Sequence, residues 1–249
     1  MTAGTDIGVS VILPAYGEAA NLNLLLPRLK AELSTFGVSA EVLVVDSLQP
    51  LDDTEEVCRR HEVRHVRRAG GDTYGDAIRT GIANSQGVYV FIMDADGSHS
   101  PEFLRELWQL RTNGTIVIAS RYVPGGATDN PRLTVAMSNL LNLFYSRVLN
   151  LPVVDVSNSL RLYDGPSLRN LELSCRHFDV QEEILVKLLW EGSQQVVEIP
   201  YHFQNRSHGR SKRTLLVFTF HFLRSLLVFY RLRGRLRRKQ REQERDAAI

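Results

Sequence analysis

Two carboxylates one residue apart, Asp94 and Asp96, close the apolar run YVFIMDAD (89–96), and the chain continues GSHSPEF to residue 103. In extended backbone, side chains two residues apart point to the same side, so the two carboxylates can converge. An all-oxygen pair of this kind suits a hard divalent cation, Mg2+ or Mn2+, that takes its remaining ligands from water and substrate phosphates. Such a cation neutralises a departing diphosphate as a Lewis acid. The same spacing also occurs in plain solvated acidic turns, so the pair gains meaning only from its surroundings. Ser100, Pro101 and Glu102 read as N-cap, N1 and N2 of a following helix. His99 reads as a hydrogen-bonding residue at that helix entry rather than as a base.

The elements that must carry this pair follow from periodicity. VSVILPAY (9–16), EVLVVD (41–46), VYVFIMD (88–94) and TIVIAS (115–120) are short, near-continuous apolar runs, as expected of parallel strands covered on both faces. Helical patterns lie between them, in GEAANLNLLLPRLKAEL (where Pro27 predicts a kink or a split), DDTEEVCRR and YGDAIRTGIANS. This βα alternation predicts a doubly wound sheet with ligands at the carboxyl ends of its strands. Tyr16, Asp46 and Asp94 all fall at such ends. Further on, 131–150 reads as a long helix with Pro131 near N1, DVQEEILVKLLWEG as another helix, and QQVVEIPYHF (194–203) as a late strand. Gly70, Gly71 and Gly75 lack the dinucleotide-binding spacing and read as a turn before a helix; Asp72 beside them could approach a ligand.

Composition bounds the class. With 249 residues, 43% hydrophobic and 23% charged, the chain is long enough for one large α/β domain. A net charge of +2 gives no global pull toward nucleic acid. Cys58 and Cys175 lack metal-ligand spacing and read as packing residues in a reducing compartment. The start MTAGTDIG lacks the basic-then-apolar pattern of a secretory signal. Near the other end, LLVFTFHFLRSLLVFY (215–230) falls short of the roughly 20 apolar residues of a spanning helix. As a helix it gathers His221, Arg224 and Ser225 on one polar stripe, and RLRGRLRRKQR follows it. Two readings stay open: a helix lying on an anionic bilayer, and a core-packed helix with a solvated tail. The expectation is a cytoplasmic protein held peripherally at a membrane, with a catalytic domain over 1–213 and an amphipathic helix and basic tail over 214–249.

Several separated motifs share one pattern: LPAYGEAANL at the end of the first strand, Asp46 ending the second, the Asp94–Ala95–Asp96 run, SRY (120–122), DVSNSLRLY from Asp155, and RSHGRSK in the late loop. In this order they resemble glycosyltransferase family 2, and within it the polyprenyl- and dolichyl-phosphate mannose synthases, over nearly the whole chain from Val9 to about Lys212. The resemblance implies a GT-A (Rossmann-like) α/β fold, a mixed, mostly parallel sheet flanked by helices, with a C-terminal amphipathic helix. It implies an inverting, metal-dependent transfer of a hexose, mannose first, from a nucleoside-diphosphate sugar (GDP-mannose favoured) to a polyprenyl phosphate.

The resemblance also implies roles. Pro14, Ala15, Tyr16 and Glu18 match the first nucleotide-binding motif, Asp46 the carboxylate that reads the base, and Asp94, Ala95 and Asp96, with Ser98 next to them, the metal and diphosphate motif. Arg121 and Arg132 match cations facing the donor and acceptor phosphates, Lys187 recurs in the mannose synthases, and Arg206 and Lys212 match a closing loop, which also carries Arg210. The catalytic set is then Asp96, Arg121 and Asp155. The chain departs from the pattern at Ser47, where a second Asp is usual, at Ser98, where Gln is common, and at Asn158–Ser159, where Ser-Gly is usual. All these departures surround the donor site. A lipid phosphate is already anionic, so cations rather than a strong base are needed to position it. The alternative is the same donor chemistry on a soluble hydroxyl acceptor, in polysaccharide or specialised-metabolite synthesis. That reaction requires a base, for which Asp155 is the candidate.

Overall fold

The computed structural model describes residues 7–190, 194–204 and 225–234. Among the described residues, nine strands run β1 Val9–Pro14, β2 Ala40–Asp46, β3 Arg64–Arg67, β4 Tyr89–Ile92, β5 Thr115–Ser120, β6 Ala127–Thr128, β7 Arg161–Asp164, β8 Gln195–Pro200 and β9 His202–Phe203. The helices are α1 Ala19–Leu33, α2 Thr54–Arg60, α3 Tyr74–Asn84, α4 Leu104–Gln109, α5 Arg132–Leu149, α6 Gly165–Arg169 and α7 Val180–Trp190. Short 3-10 turns, Ser34–Phe36 and Pro101–Phe103, extend α1 and precede α4.

Seven strands form one sheet in the order β3-β2-β1-β4-β7-β5-β8, and β6 and β9 pair separately. Within the large sheet β7 alone runs antiparallel, pairing with both β4 and β5. The reversal matters for the site. Ile92 pairs with Arg161 and Tyr89 with Asp164, so the chain leading into β7 arrives at the rim where β4 leaves. The strands alternate their apolar side chains between two faces. Val11, Leu13, Val44, Phe91 and Val117 pack under α1, α2 and α4. Ile12, Val45, Val90, Ile92 and Ile118 pack under α3, α5, α6 and α7.

The continuous apolar runs become β1, β2, β4 and β5 as expected, although β4 ends at Ile92, two residues before Asp94. The late strand divides into β8 and β9 around Tyr201. Pro27 does not split its helix, and α1 is unbroken through it. Pro27 and Asn23, the residue four positions earlier that loses its amide partner, both lie on the exposed face, while Leu22, Leu25, Leu26 and Leu29 hold the buried one. Pro131 sits at the N-cap of α5 rather than at N1, and the helix closes on Asn150 at φ 52°.

Residues 225–234 are helical. Leu226 and Phe229 enter the second core layer beside Tyr145 and Leu149. Tyr145 Oη and Ser225 Oγ lie 2.6 Å apart, and Arg233 donates to the Val148 carbonyl at 3.0 Å. This stretch is therefore core-packed on one side. The rest of the 215–230 segment, including His221 and Arg224, lies outside the described residues. No described helix is long and apolar enough to cross a membrane.

Candidate active site

The rim at the carboxyl ends of β1, β2, β4 and β5, joined by the loop entering β7, gathers most of the residues singled out above. Asp94 and Asp96 follow β4. Gly97, at φ 79°, turns the chain sharply and lets Ser98 fold back on the preceding carboxylate. The Ser98 amide and hydroxyl both donate to Asp96 Oδ1, at 3.0 and 2.5 Å. Asp94 is held from two distant elements: Tyr74 Oη at the head of α3 donates to Oδ1 (3.3 Å), and Ser159 Oγ donates to Oδ2 (2.9 Å). Tyr74 is fixed in turn, accepting from the Gln181 side-chain amide at 3.0 Å and stacking on Phe178. Gly75 beside it admits the close approach, because a Cβ there would sit 2.3 Å from the Cys175 carbonyl oxygen.

His99 is fully engaged. Its Nδ1 accepts the Asp94 amide hydrogen (3.1 Å), so the ring hydrogen sits on Nε2, facing Asn158 Oδ1 at 3.3 Å. The Asn158 amide nitrogen donates to the Ala119 carbonyl, which fixes the direction of that amide. Burial lowers the imidazole's pKa, with Asp94 and Asp96 opposing, and the ring stays neutral. His99 therefore hydrogen-bonds at the strand exit rather than at the helix entry.

Behind the pair lies a buried ion pair. Asp155 accepts the Arg121 amide (2.9 Å), Nε (2.8 Å) and Nη2 (2.7 Å), and Arg121 Nη2 also reaches Ser157 Oγ. Glu198 on β8 receives the amides of Val154 and Asp155 at 2.6 and 2.8 Å and anchors this loop. Burial alone would raise the Asp155 pKa; the Arg121 charge and hydrogen bonds outweigh it and hold the carboxyl below its ordinary range. This geometry corrects the expectation of Asp155 as a general base, since the carboxylate is fully buried and committed to Arg121. Arg121 likewise turns onto Asp155 rather than standing open toward a phosphate; its side chain is only 10% exposed. Arg132, in the first turn of α5, is exposed.

On the β1–β2 side, Pro14 ends β1, and the Ala15 carbonyl accepts from the buried Arg68 guanidinium, whose other bonds go to the carbonyls of Asp72 and Thr73. Arg68 stands 5.2 Å from the centre of the Tyr16 ring, and Asp72 lies 3.5 Å from its Nη1. Glu18 accepts from Asn21 at 2.6 Å. Asp46 accepts from the Ser47 amide and from His65. Lys187 commits its ammonium to Glu183 and the Glu172 carbonyl. Arg206, Arg210 and Lys212 lie outside the described residues. Arg68, Tyr74, His65 and Glu198 carried no expectation. Only Tyr74 had a local signal, because Thr73 and Asp76 form a capping box that marks the head of α3.

Two rim carboxylates, each accepting hydroxyl donors, form an all-oxygen set that fits a hard divalent cation keeping water and sharing substrate phosphates. No third His, Cys, Asp or Glu joins them as a metal-binding group among the described residues. Asp94 and Asp96 are the residues that would hold it.

Comparison with solved structures identifies the fold. Glucosyl-3-phosphoglycerate synthase from Mycobacterium tuberculosis, in a crystal with Mn2+, UDP-glucose and phosphoglyceric acid, superposes with a TM-score of 0.69 at 20% identity, covering 90% of this chain and 80% of that one. The fold is that of the GT-A glycosyltransferases. The model of glycosyl transferase family 2 matches residues 10–171, and the chain belongs to that family. Similar curated proteins include the undecaprenyl-phosphate mannosyltransferase of Micrococcus luteus, 31% identical, covering 82% of this chain and 86% of that protein. The polyprenol monophosphomannose synthase of Mycolicibacterium smegmatis is 31% identical, covering 81% and 79%. The dolichol-phosphate mannosyltransferase of Pyrococcus furiosus is 29% identical over 87% of this chain, which spans 63% of that relative's length.

Proposed function

We propose that the protein transfers a hexose, mannose by likeness to its relatives, from a nucleoside-diphosphate sugar to a polyprenyl phosphate, with inversion at the anomeric carbon. The observation that carries this reading is the Asp94/Asp96 pair at a rim whose base candidate, Asp155, is committed to Arg121, as the neighbouring His99 is to Asp94 and Asn158. A hydroxyl acceptor needs a base; a phosphate acceptor arrives ionised. A divalent cation on Asp94 and Asp96 would neutralise the leaving diphosphate. The chain itself does the orienting. Tyr74 and Ser159 fix Asp94, Ser98 fixes Asp96, and Asp155 with Glu198 fixes Arg121 and the loop before β7. An acceptor-phosphate oxygen attacks the anomeric carbon opposite the departing diphosphate, through an oxocarbenium-like state.

Peripheral attachment to a membrane belongs to the same proposal. Leu133, Leu140, Leu143 and Phe144 are exposed along α5, as are Leu227, Val228 and Tyr230 on the C-terminal helical stretch, and the sequence that follows is strongly basic. The test is hexose transfer with Mn2+ to undecaprenyl phosphate in liposomes, against a panel of soluble hydroxyl acceptors. Lipid-linked product is expected, with Asp96→Ala losing about 100-fold or more in turnover. Product on soluble acceptors alone would overturn the reading.

A further inference from the structure

Tyr201 reaches the turn that follows the carboxylate pair from far along the chain. It stands where β8 gives way to β9 and the backbone changes neighbour. Its amide donates to the Ser120 carbonyl of β5 at 2.8 Å, and its carbonyl accepts the Ala127 amide of β6 at 2.9 Å. The side chain therefore springs from a backbone tied on both sides. It is buried, and its ring packs on Phe103 with centroids 4.6 Å apart. The hydroxyl serves as acceptor and donor at once. It accepts the Ser100 amide at 2.9 Å and donates to the Ser98 carbonyl at 3.3 Å, so one oxygen bridges the two ends of the Ser98–His99–Ser100 turn. The Gln204 amide, one residue beyond β9, donates to the same Ser98 carbonyl at 3.3 Å. The His99 ring inside the turn meets Tyr201 and Phe203 edge-on, at 6.0 and 5.4 Å.

The same turn aims the carboxylates. Ser98 supplies the amide and the hydroxyl that hold Asp96 Oδ1, and His99 Nδ1 takes the Asp94 amide. A shift of residues 98–100 therefore disturbs both cation-facing residues together. We infer that Tyr201 is a positioning residue for the divalent cation, an inference that rests on the cation reading of Asp94 and Asp96 above. Its hydroxyl holds the turn in the form that presents the two carboxylates to a metal. It works through the backbone of residues more than 100 positions earlier in the chain, so no local motif marks it.

The experiment is Mn2+ titration of the full chain, alone and with saturating UDP or GDP, read by electron paramagnetic resonance, for wild type, Tyr201→Phe and Tyr89→Phe. Tyr201→Phe keeps the ring and removes only the bridging oxygen. Its Mn2+ affinity should weaken about tenfold, the lower end of the range for groups that support metal ligands. Its Tm should fall by only about 2–4 °C, the scale of one hydrogen bond in a chain of this size. Tyr89→Phe removes a hydroxyl bonded to Asn113 at the opposite end of β4 and should leave Mn2+ affinity at the wild-type value. Ser100→Pro deletes the same contact from the donor side, at a residue whose φ of −79° already suits proline; it should weaken Mn2+ as much and decides the matter should Tyr201→Phe fail to fold. Unchanged Mn2+ affinity in the variant that folds overturns the inference and leaves the cation reading standing. Equal weakening in Tyr89→Phe overturns it too, since the effect would then be one of general stability. Failure of wild type to bind Mn2+ under any of these conditions removes the cation reading itself, and the inference with it.

Discussion

Asp155→Asn removes the negative half of a buried ion pair with almost no change of shape. The wild-type carboxylate takes three hydrogen bonds from Arg121, all at 2.7–2.9 Å, and has Asn142 Nδ2 at 3.5 Å. In the variant an amide nitrogen replaces one acceptor, and the Arg121 guanidinium stays buried without its counter-charge. Removing one partner of a buried pair costs about 3–5 kcal/mol. For a chain of this size each kcal/mol moves the midpoint by roughly 2–4 °C, so Tm should fall by about 6–20 °C. The measurement is guanidinium unfolding followed by circular dichroism, with a calorimetric scan alongside. The pH dependence carries a sign. Because the folded pKa of Asp155 is depressed, its contribution is present above the unfolded carboxylate range, near about 4, and is lost as pH falls through the lower folded value. The gap between wild type and Asp155→Asn should therefore be full at pH 7 and shrink in acid below about pH 4. The double variant Arg121→Met/Asp155→Leu should recover much of the loss, since it leaves no buried charge behind. A loss under about 1 kcal/mol in Asp155→Asn, or a gap that does not change with pH, would refute the account.

Two more substitutions probe other parts of the argument. Phe229→Ala deletes a buried ring from the layer shared by α5 and the C-terminal helical stretch; it should cost about 3–5 kcal/mol in denaturant unfolding, and a loss below about 1 kcal/mol would deny that this stretch is docked. Ser159→Ala takes one hydroxyl from Asp94; Mn2+ affinity in the presence of nucleotide, read by electron paramagnetic resonance, should weaken about three- to tenfold with little change in Tm, and unchanged affinity would show that Ser159 does not orient the carboxylate.

The strands that the sequence displayed best are those buried on both faces. VSVILP and TIVIAS are near-continuous apolar runs because helices cover both sides of β1 and β5. RHVR carried no such signal, since β3 is an edge strand and every side chain in it is at least partly exposed. RLYD was equally silent about direction: nothing local in those four residues says that β7 enters the sheet backwards. At the site, the sequence placed Asp94 and Asp46 at strand ends, with Asp96 two residues on, and the structure puts all three at the carboxyl rim of the sheet. Their supports were not legible. Tyr74 and Ser159 reach Asp94 across 20 and 65 residues of chain, and periodicity has no reach over such distances. Asp155 looked like a base for the same reason, because its Arg121 partner lies 34 residues earlier.

The reversed strand also governs where this molecule tolerates insertion. Where every strand is parallel, all segments at the ligand rim depart from the sheet; here 153–160 comes inbound to β7 between the outbound ends of β4 and β5. Lengthening that inbound stretch by one residue would displace Ser159 from Asp94 and Asp155 from Arg121 together. The turn at the other end of β7, where the Gly165 amide meets the Val88 carbonyl at 2.8 Å, faces away from the rim. A single extra residue upstream therefore disarms both carboxylates, while the far end of β7 passes directly into α6 through a buried Gly165 whose Cβ position lies 2.2 Å from the Gly87 carbonyl oxygen.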